Sequence, residues 1–554
     1  MPEGKARAGT GAAAGGENVR MPEGKARAGT GAAAGGENVR MPEGKARAGT
    51  EAAAGGMTKR ILPGASAAVS LVLYGALSII MWRIYYSPSW DLGIFTQLLN
   101  DYAHLQAPIV DIKGPGYNLW GDHFHPILWL LMPVFKIWPS GLTLMLLQAV
   151  LFAASAWPVA SYAAQKLPAA GAWALSLAYV GSYGLLNSVT SQFHEIAFAV
   201  PLLAFGLVWW LRGHHLAGAI AIALLVFVKE DMGLTVAAFG IAVWLRQRAT
   251  KYQLGLFVWG VLWFAVTVLL ILPAFNNSGQ YDYTDNVSAL DALGAGAQTK
   301  LATLGALVLA AGAVGLRSPL ILMVLPTLAW RFVGNVEGYW GLSFHYTAGL
   351  VPIAALALID GIAGPGWTGW KRAGAAKSGA AGPAEPGGVG TEAAAAVERE
   401  DAAASAPEPV AQAYAARTEA ARTEAAQTVR ERTLGTWAPA AAAAGVIALA
   451  GSTNINLLWE SERYAIDAGP AVQAAEQYGT VATDIRLLAY LAPKTHTYWY
   501  GRLDQVKPDA VLLRPSETGQ TTEEWAEERL GGDWTTVLSE GGYELAVPAA
   551  QGQG

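Results

Sequence analysis

"LLVFVKEDMGLTV" (residues 224–236) sets Lys229, Glu230 and Asp231 side by side in a run that is otherwise almost wholly apolar. One straight helix over 216–245 would hold all three charges near its centre. Insertion scales put each such charge at about 2.5–3.5 kcal/mol. A pair of helices bending at Lys229–Met232 avoids that cost. Each arm then has about 13 residues, or about 20 Å of helix, against a hydrocarbon core of about 30 Å. The tip therefore sits below the membrane surface, where it must face protein or a wet cavity. A lysine–carboxylate pair at the tip would neutralise itself, but it leaves one charge unmatched.

The composition supports a membrane setting. Of the 554 residues, 53% are hydrophobic and only 14% charged, where soluble domains carry about 25% charged residues. The 21 tryptophans suit membrane interfaces. The absence of Cys excludes disulfides, thiolate chemistry and Cys-ligated metal sites. The net charge of −5 gives no argument for nucleic acid.

The first 56 residues differ in kind. "MPEGKARAGTGAAAGGENVR" stands at 1–20 and again at 21–40, and a third copy diverges at Glu51. This Gly/Ala-rich stretch has no apolar face to bury and reads as a disordered leader. Beyond it, apolar spans are expected at 61–83, 141–163, 169–189, 196–211, 216–228, 232–245, 254–274, 300–316, 318–333, 343–362 and 437–453. The segment "HPILWLLMPVFKIWPS" (125–140), with three prolines and a lysine, reads as re-entrant or interfacial. Residues 373–435 are an Ala/Gly/Pro-rich cytoplasmic insertion whose "ARTEAARTEAAQTVRER" also has helical Glu/Arg spacing. A last transmembrane helix, 436–453, precedes 454–554, where helical and β-rich runs alternate as in a small α/β domain. No catalytic motif stands out there.

Lys59 and Arg60 before the first span put the N-terminus in the cytoplasm. Lys166, Arg212, Arg246, Arg248, Lys251, Arg317, Lys371 and Arg372 then fall on the same side. The opposite side receives Asp91, Asp101, Asp111, Asp122, His123, His125, His194, Glu195, Lys229, Glu230, Asp231, Asp282, Asp285, Glu337 and His345. The candidates for chemistry thus gather on the extracytoplasmic face.

Each candidate also has a plain structural reading. Asp91 in "SWDLGIFTQ" suits a helix cap, and His194 and Glu195 in "SQFHEIAF" open a span. His345 and Tyr346 in "LSFHYTAG" open another. Asp122, His123 and His125 in "WGDHFHPILW" suit a divalent cation (Mg or Mn) or a phosphate, although the spacing is far less specific than HExxH. Taken together, acids, imidazoles and one lysine at span ends are an inventory for acid–base work beside a phosphate.

"SWDLGIFTQ", "GDHFHPILWLLMPVFKIWPS", "LLQAVLFAASAWPVA", "SQFHEIAFAVPLLAFGL" and "VKEDMGLTVAAFGIAVWL" occur in that order. This set resembles a large bacterial family of predicted polytopic membrane proteins, a domain of unknown function grouped with the GT-C glycosyltransferase superfamily. The resemblance covers roughly 70–550 without the 373–435 insertion. It implies an all-α polytopic GT-C-like fold at 57–372, with about 11 transmembrane helices in the chain and a small extracytoplasmic α/β C-terminal domain. It also implies a polyprenyl-phosphate-linked sugar donor, an extracytoplasmic glycan, lipid or protein acceptor, and a place in the bacterial cytoplasmic membrane. Asp91 matches the essential acid of the first outer loop, but Leu92 stands where the superfamily often has a second acid. The Lys229 turn resembles one in the aminoarabinose and mannosyl transferase branch.

On that reading Asp91 is the base and Lys229 stabilises the departing phosphate, helped by His123 and His125 directly or through the metal. His194 and Glu195 position the acceptor, and Glu230 or Asp231 holds Lys229. His345 and Tyr346 complete the substrate-binding set. Two other classes stay open: a lipid or solute transporter, and a non-catalytic scaffold presenting 454–554. Against transport, the cytoplasmic halves of the spans are expected to lack acids.

Overall fold

The structure is a computed structural model, described over residues 43–86, 90–246, 251–279, 294–364 and 408–549. Asp282, Asp285, Arg248, Lys371, Arg372, the repeats at 1–40 and most of the insertion lie outside these residues. The chain divides into two units, Met1–Glu51 and Ala52–Gly554. The described residues of the first are helical.

The second unit is mainly helical. Among the described residues, four helical stretches are long and apolar enough to cross a membrane: Ala54–Arg83, Gly141–Lys166, Ala169–Thr190 and Gln253–Phe275. Seven shorter apolar ones follow Pro126, Glu195, His215, Met232, Ala297, Pro319 and Leu350. Those that position the site are α1 (Glu43–Arg83), α2 (Trp90–Ala103), α3 (Gly141–Lys166), α4 (Ala169–Val180), α5 (Tyr183–Thr190), α6 (Ala199–Leu211), α7 (His215–Ala223), α8 (Met232–Arg246), α9 (Gln253–Val266), α10 (Ala297–Ala310), α11 (Leu325–Val333) and α12 (Leu350–Ala363).

The opening stretch bends as the cost of charge requires. α7 passes into a 3-10 turn ending at Phe227, and α8 starts at Met232. Arg212, just before α7, and Arg246, at the end of α8, both act on Tyr162, so the chain reverses at the charged tip. The two arms pack outward through glycines. A Cβ on Gly218 would lie 2.8 Å from the Gly206 carbonyl, and one on Gly233 would lie 2.6 Å from that of Gly260. The tip is thereby wedged between α6 and α9.

At the end of the bundle away from that tip, Arg246 grips Asp360 of α12. Its Nη2 donates to Oδ1 at 2.8 Å and its Nε at 3.2 Å, while Ser318 Oγ donates to Oδ2 at 2.6 Å. The acid-free half expected of the spans is therefore corrected. Asp360 was hidden at the end of an apolar run, where its acid is tolerated because it is fully paired.

The boundary expected at 435/436 is not a break in the backbone. One helix, α13, runs from Glu408 to Ala448. Ala, Glu and Arg all favour helix, and Glu/Arg pairs one turn apart add to it. Its Gly435 packs on Pro168 and against Gly171 at the start of α4.

The C-terminal sheet has β1 (Thr480–Thr483), β2 (His496–Trp499), β3 (Ala510–Leu513), β4 (Trp534–Glu540) and β5 (Tyr543–Pro548), in the order β2-β1-β3-β5-β4. β1 pairs in parallel with β2 and β3, while β5 runs antiparallel to β3 and β4. Helices α14 (Gly469–Ala475), α15 (Leu488–Leu491) and α16 (Thr522–Leu530) accompany it. α15 seats this domain on the first loop. Tyr490 stacks on Trp82 with centroids 3.9 Å apart and donates its hydroxyl to the Trp82 carbonyl at 2.7 Å. On the edge strand β2, the Thr497 carbonyl accepts from Gln97 Nε2 at 3.0 Å, and His496 Nε2 lies 2.6 Å from Asp111 Oδ2.

Candidate active site

Asp91 is the second residue of α2, and its carboxylate is about half exposed, at 47%. Its Oδ2 lies 3.1 Å from His194 Nε2. Burial raises the proton affinity of Asp91, but the imidazole of His194, aided by Lys229, outweighs that and holds the carboxyl below its ordinary range.

His194 is itself fixed from behind. Gln148, in the middle of α3, accepts from the His194 backbone N–H at 3.2 Å. The same Gln148 donates to the carbonyls of Ser188 and Gln192, at 3.1 and 3.0 Å. Nδ1 of His194 faces the Gln192 carbonyl at 3.2 Å. A carbonyl only accepts, so Nδ1 carries a proton. The opposite nitrogen is left for Asp91, in an acid–imidazole dyad. Gln192 has φ 68° and Phe344, before His345, has φ 64°. Non-glycine residues in the left-handed region persist where their surroundings fix them, often at functional sites.

The dyad leads into a cleft. The His194 and His345 rings stack with centroids 3.6 Å apart. His345 lines a cleft of about 340 Å3 together with Glu195, Lys229, Asp231, Trp330 and Tyr346. In that wall Lys229 Nζ lies 3.0 Å from Glu195 Oε1. Asp231 accepts from Trp330 Nε1 at 2.9 Å. Glu230 turns the other way, 2.8 Å from His123 Nδ1, and also accepts from the Phe124 N–H at 3.3 Å.

Asp91, His194, His345, Tyr346, Glu195, Lys229, Glu230, Asp231 and His123 thus form one connected set, although they come from five separate stretches of chain. The partner expected for Lys229 was Glu230 or Asp231; the close contact is with Glu195. His125 does not join the cleft wall. Its ring is buried, sits edge-on to Phe95 with centroids 5.7 Å apart, and neither ring nitrogen has a hydrogen bond.

Of the residues named for a metal, Asp122 and His123 stay close, with Oδ2 3.9 Å from Nε2, and His125 turns away. Asp122 Oδ2 takes Lys113 Nζ at 2.5 Å, His123 takes Glu230, and His125 faces the core. Among the described residues no group of three His, Cys, Asp or Glu is placed to hold an ion.

Sequence reasoning missed Gln148, Trp330, Lys113 and Gln97. Gln148 carried a signal, because an amide in the middle of an apolar 26-residue helix demands partners. Trp330 carried none, since its indole reads like any membrane tryptophan.

The family described as "Predicted membrane protein (DUF2079)" matches residues 82–373, more than half of the chain. No curated protein matches the sequence. Among solved structures, ArnT from Cupriavidus metallidurans in the apo state is similar, with 12% identity and a TM-score of 0.47, over 87% of this chain and 98% of that one. The same protein bound to undecaprenyl phosphate gives 14% identity and a TM-score of 0.43 over the same shares. The family match spans α2, the Asp91–His194 dyad and the whole cleft wall, and the chain belongs to the DUF2079 family of predicted membrane proteins.

Proposed function

We propose that this protein is a membrane glycosyltransferase that moves a sugar from a polyprenyl-phosphate donor to an extracytoplasmic acceptor. The observation that carries the reading is the dyad. A half-exposed carboxylate, held 3.1 Å from a buried imidazole, stands beside a polar cleft. The ordered motifs resembling GT-C enzymes support the same chemistry. The fold is read as eleven membrane crossings with the cleft and the C-terminal sheet outside the cytoplasm.

Asp91 takes the proton of an acceptor hydroxyl, and His194 stabilises the carboxylate before transfer and orients it. The acceptor oxygen bonds to the anomeric carbon as the carbon–oxygen bond to phosphate breaks, and the electron pair leaves with the phosphate. A single displacement inverts the anomeric centre. Lys229 keeps further N–H donors beyond the one facing Glu195, and with Asp231, His345 and Tyr346 these suit sugar hydroxyls in the cleft. His123 and Glu230 brace the turn from behind, and His125 packs beneath it.

The test is sugar transfer from a polyprenyl-phosphate donor by the full chain in proteoliposomes. Asp91→Asn should remove transfer while leaving an inserted, monodisperse protein. Full activity in that variant sinks the base assignment. Solute flux without donor turnover would favour a transporter instead.

A further inference from the structure

Arg331 is completely buried, and among the described residues no acid answers it. It lies in α11, one residue after Trp330 and one turn after Thr327, both of which line the cleft. Its exposure is 0%. Nε donates to the Tyr339 carbonyl at 2.7 Å and Nη2 to the Gly341 carbonyl at 2.5 Å, while Nη1 has no partner. The ionisable groups that its charge meets are the phenols of Tyr183 and Tyr346, with no carboxylate among them. A buried guanidinium held only by neutral groups is strongly unfavourable unless an anion completes it.

Its position says where that anion would come from. Tyr346 belongs to the polar cleft, and its ring lies 5.9 Å from the guanidinium carbon. Tyr183 belongs to a small neighbouring apolar cleft, walled by Leu175, Leu307, Ala354 and Val446. Leu350 lines both cavities. Arg331 therefore stands where a charged head in the cleft would meet a hydrocarbon tail. Lys229 is differently placed. It already faces Glu195, with Glu230 and Asp231 acting on it as well, so an arriving phosphate meets net negative charge there.

We infer that Arg331, rather than Lys229, is the group that holds the phosphoryl oxygens of the ligand, through Nη1. This rests on the polyprenyl-phosphate reading above and moves the anion subsite from the 229 turn to α11. Reaching Nη1 requires the Tyr346 side chain to give way as the phosphate enters.

The experiment compares farnesyl phosphate, farnesol and inorganic phosphate on the full chain in nanodiscs, by affinity and by melting temperature, for wild type, Arg331→Gln and Arg331→Lys. Wild type should bind farnesyl phosphate at least about tenfold more tightly than farnesol, the scale of one charge-assisted contact. Arg331→Gln should erase that preference, leave farnesol binding as it was, and melt no lower than wild type without ligand. Should Arg331→Gln fail to insert, Arg331→Lys decides. It keeps the charge but cannot reach two carbonyls and an anion together, so the preference should shrink.

A preference that survives in Arg331→Gln, or stays undiminished in Arg331→Lys, overturns the inference and leaves the lipid-phosphate reading standing. A low-melting Arg331→Gln that keeps its preference marks a structural brace only, and also overturns it. Binding of inorganic phosphate that depends on Arg331, without any farnesyl phosphate preference, supports the anion site and sinks the lipid donor. No Arg331-dependent binding of any probe overturns the anion site.

Discussion

Asp91 Oδ2 and His194 Nε2 lie 3.1 Å apart, joining the start of α2 to the turn before α6 across 103 positions of sequence. The imidazole lowers the Asp91 proton affinity against the pull of burial. A base acts when deprotonated, so the rate falls as pH drops through its pKa. His194→Gln should raise the Asp91 pKa and carry the acid limb of the kcat/KM profile to higher pH. An acid limb that stays put in His194→Gln would show that the dyad does not set the base.

Glu195 is buried and Lys229 largely so, with Nζ and Oε1 3.0 Å apart. Removing one partner strands the other, at a typical cost of about 3–5 kcal/mol. Lys229→Met should therefore destabilise the protein severely, and Glu195→Gln added to it should recover much of the loss. The measurement is a double-mutant cycle on SDS-induced unfolding in micelles. Strictly additive losses would show that the two charges do not depend on each other.

The C-terminal sheet is tied to the first loop by a titratable latch. The hydrogen bond that His496 donates to Asp111 raises the His496 pKa despite partial burial, and the same bond brings Asp111 below its usual value against burial. Burial, with Asp111 nearby, pushes Asp101 up to about 7, although His496 and His104 act against it. The raised His496 contributes stability below its unfolded value of about 6.5 and loses it as pH rises through the folded pKa. Asp101 works in the same direction, since its ionisation is disfavoured in the fold from about 4 upward. Asp111 contributes above about 3.9 and loses its share as pH falls through its lowered pKa. Docking should thus weaken as pH climbs past about 7, read as faster amide exchange in β2. In His496→Ala the part of that loss due to the imidazole should vanish.

Two glycines should behave in opposite ways when changed to alanine. A Cβ on Gly93 would lie 2.7 Å from Leu488 Cβ, so Gly93→Ala must push α15 off α2. Overpacking of that kind costs about 1–3 kcal/mol. Gly75, in α1, has open space around its Cβ position, and there alanine should stabilise by up to about 1 kcal/mol. Thermal melts of the two variants beside wild type check both signs.

The apolar runs of this chain already dictated its helices. Each expected span overlaps a helix, although 343–362 turns helical only at Leu350 and 300–316 leaves its α-helix at Ala310, and Lys229–Asp231 forced the bend at 228–231 because charges cannot stay inside a straight apolar helix. The dyad's members were legible as chemical candidates, because acids and imidazoles at span ends are costly to keep without a use. The short β-rich runs that became β1, β2 and β3 were legible, since β-branched and aromatic residues favour strands.

The pairing of those groups was decided only in three dimensions. That Glu195 rather than Glu230 meets Lys229, that Glu230 turns back to His123, and that His125 faces Phe95 depend on how α6, α8 and the first loop pack. The same packing leaves Arg331 without an acid and gives Asp360 its arginine. Hydrophobic pattern is written along the chain at a spacing of two to four residues. A charge is answered by whichever group the tertiary fold brings within a few ångströms, and in this protein that group is 34 positions away for Lys229 and Glu195, 107 for Glu230 and His123 and 114 for Arg246 and Asp360.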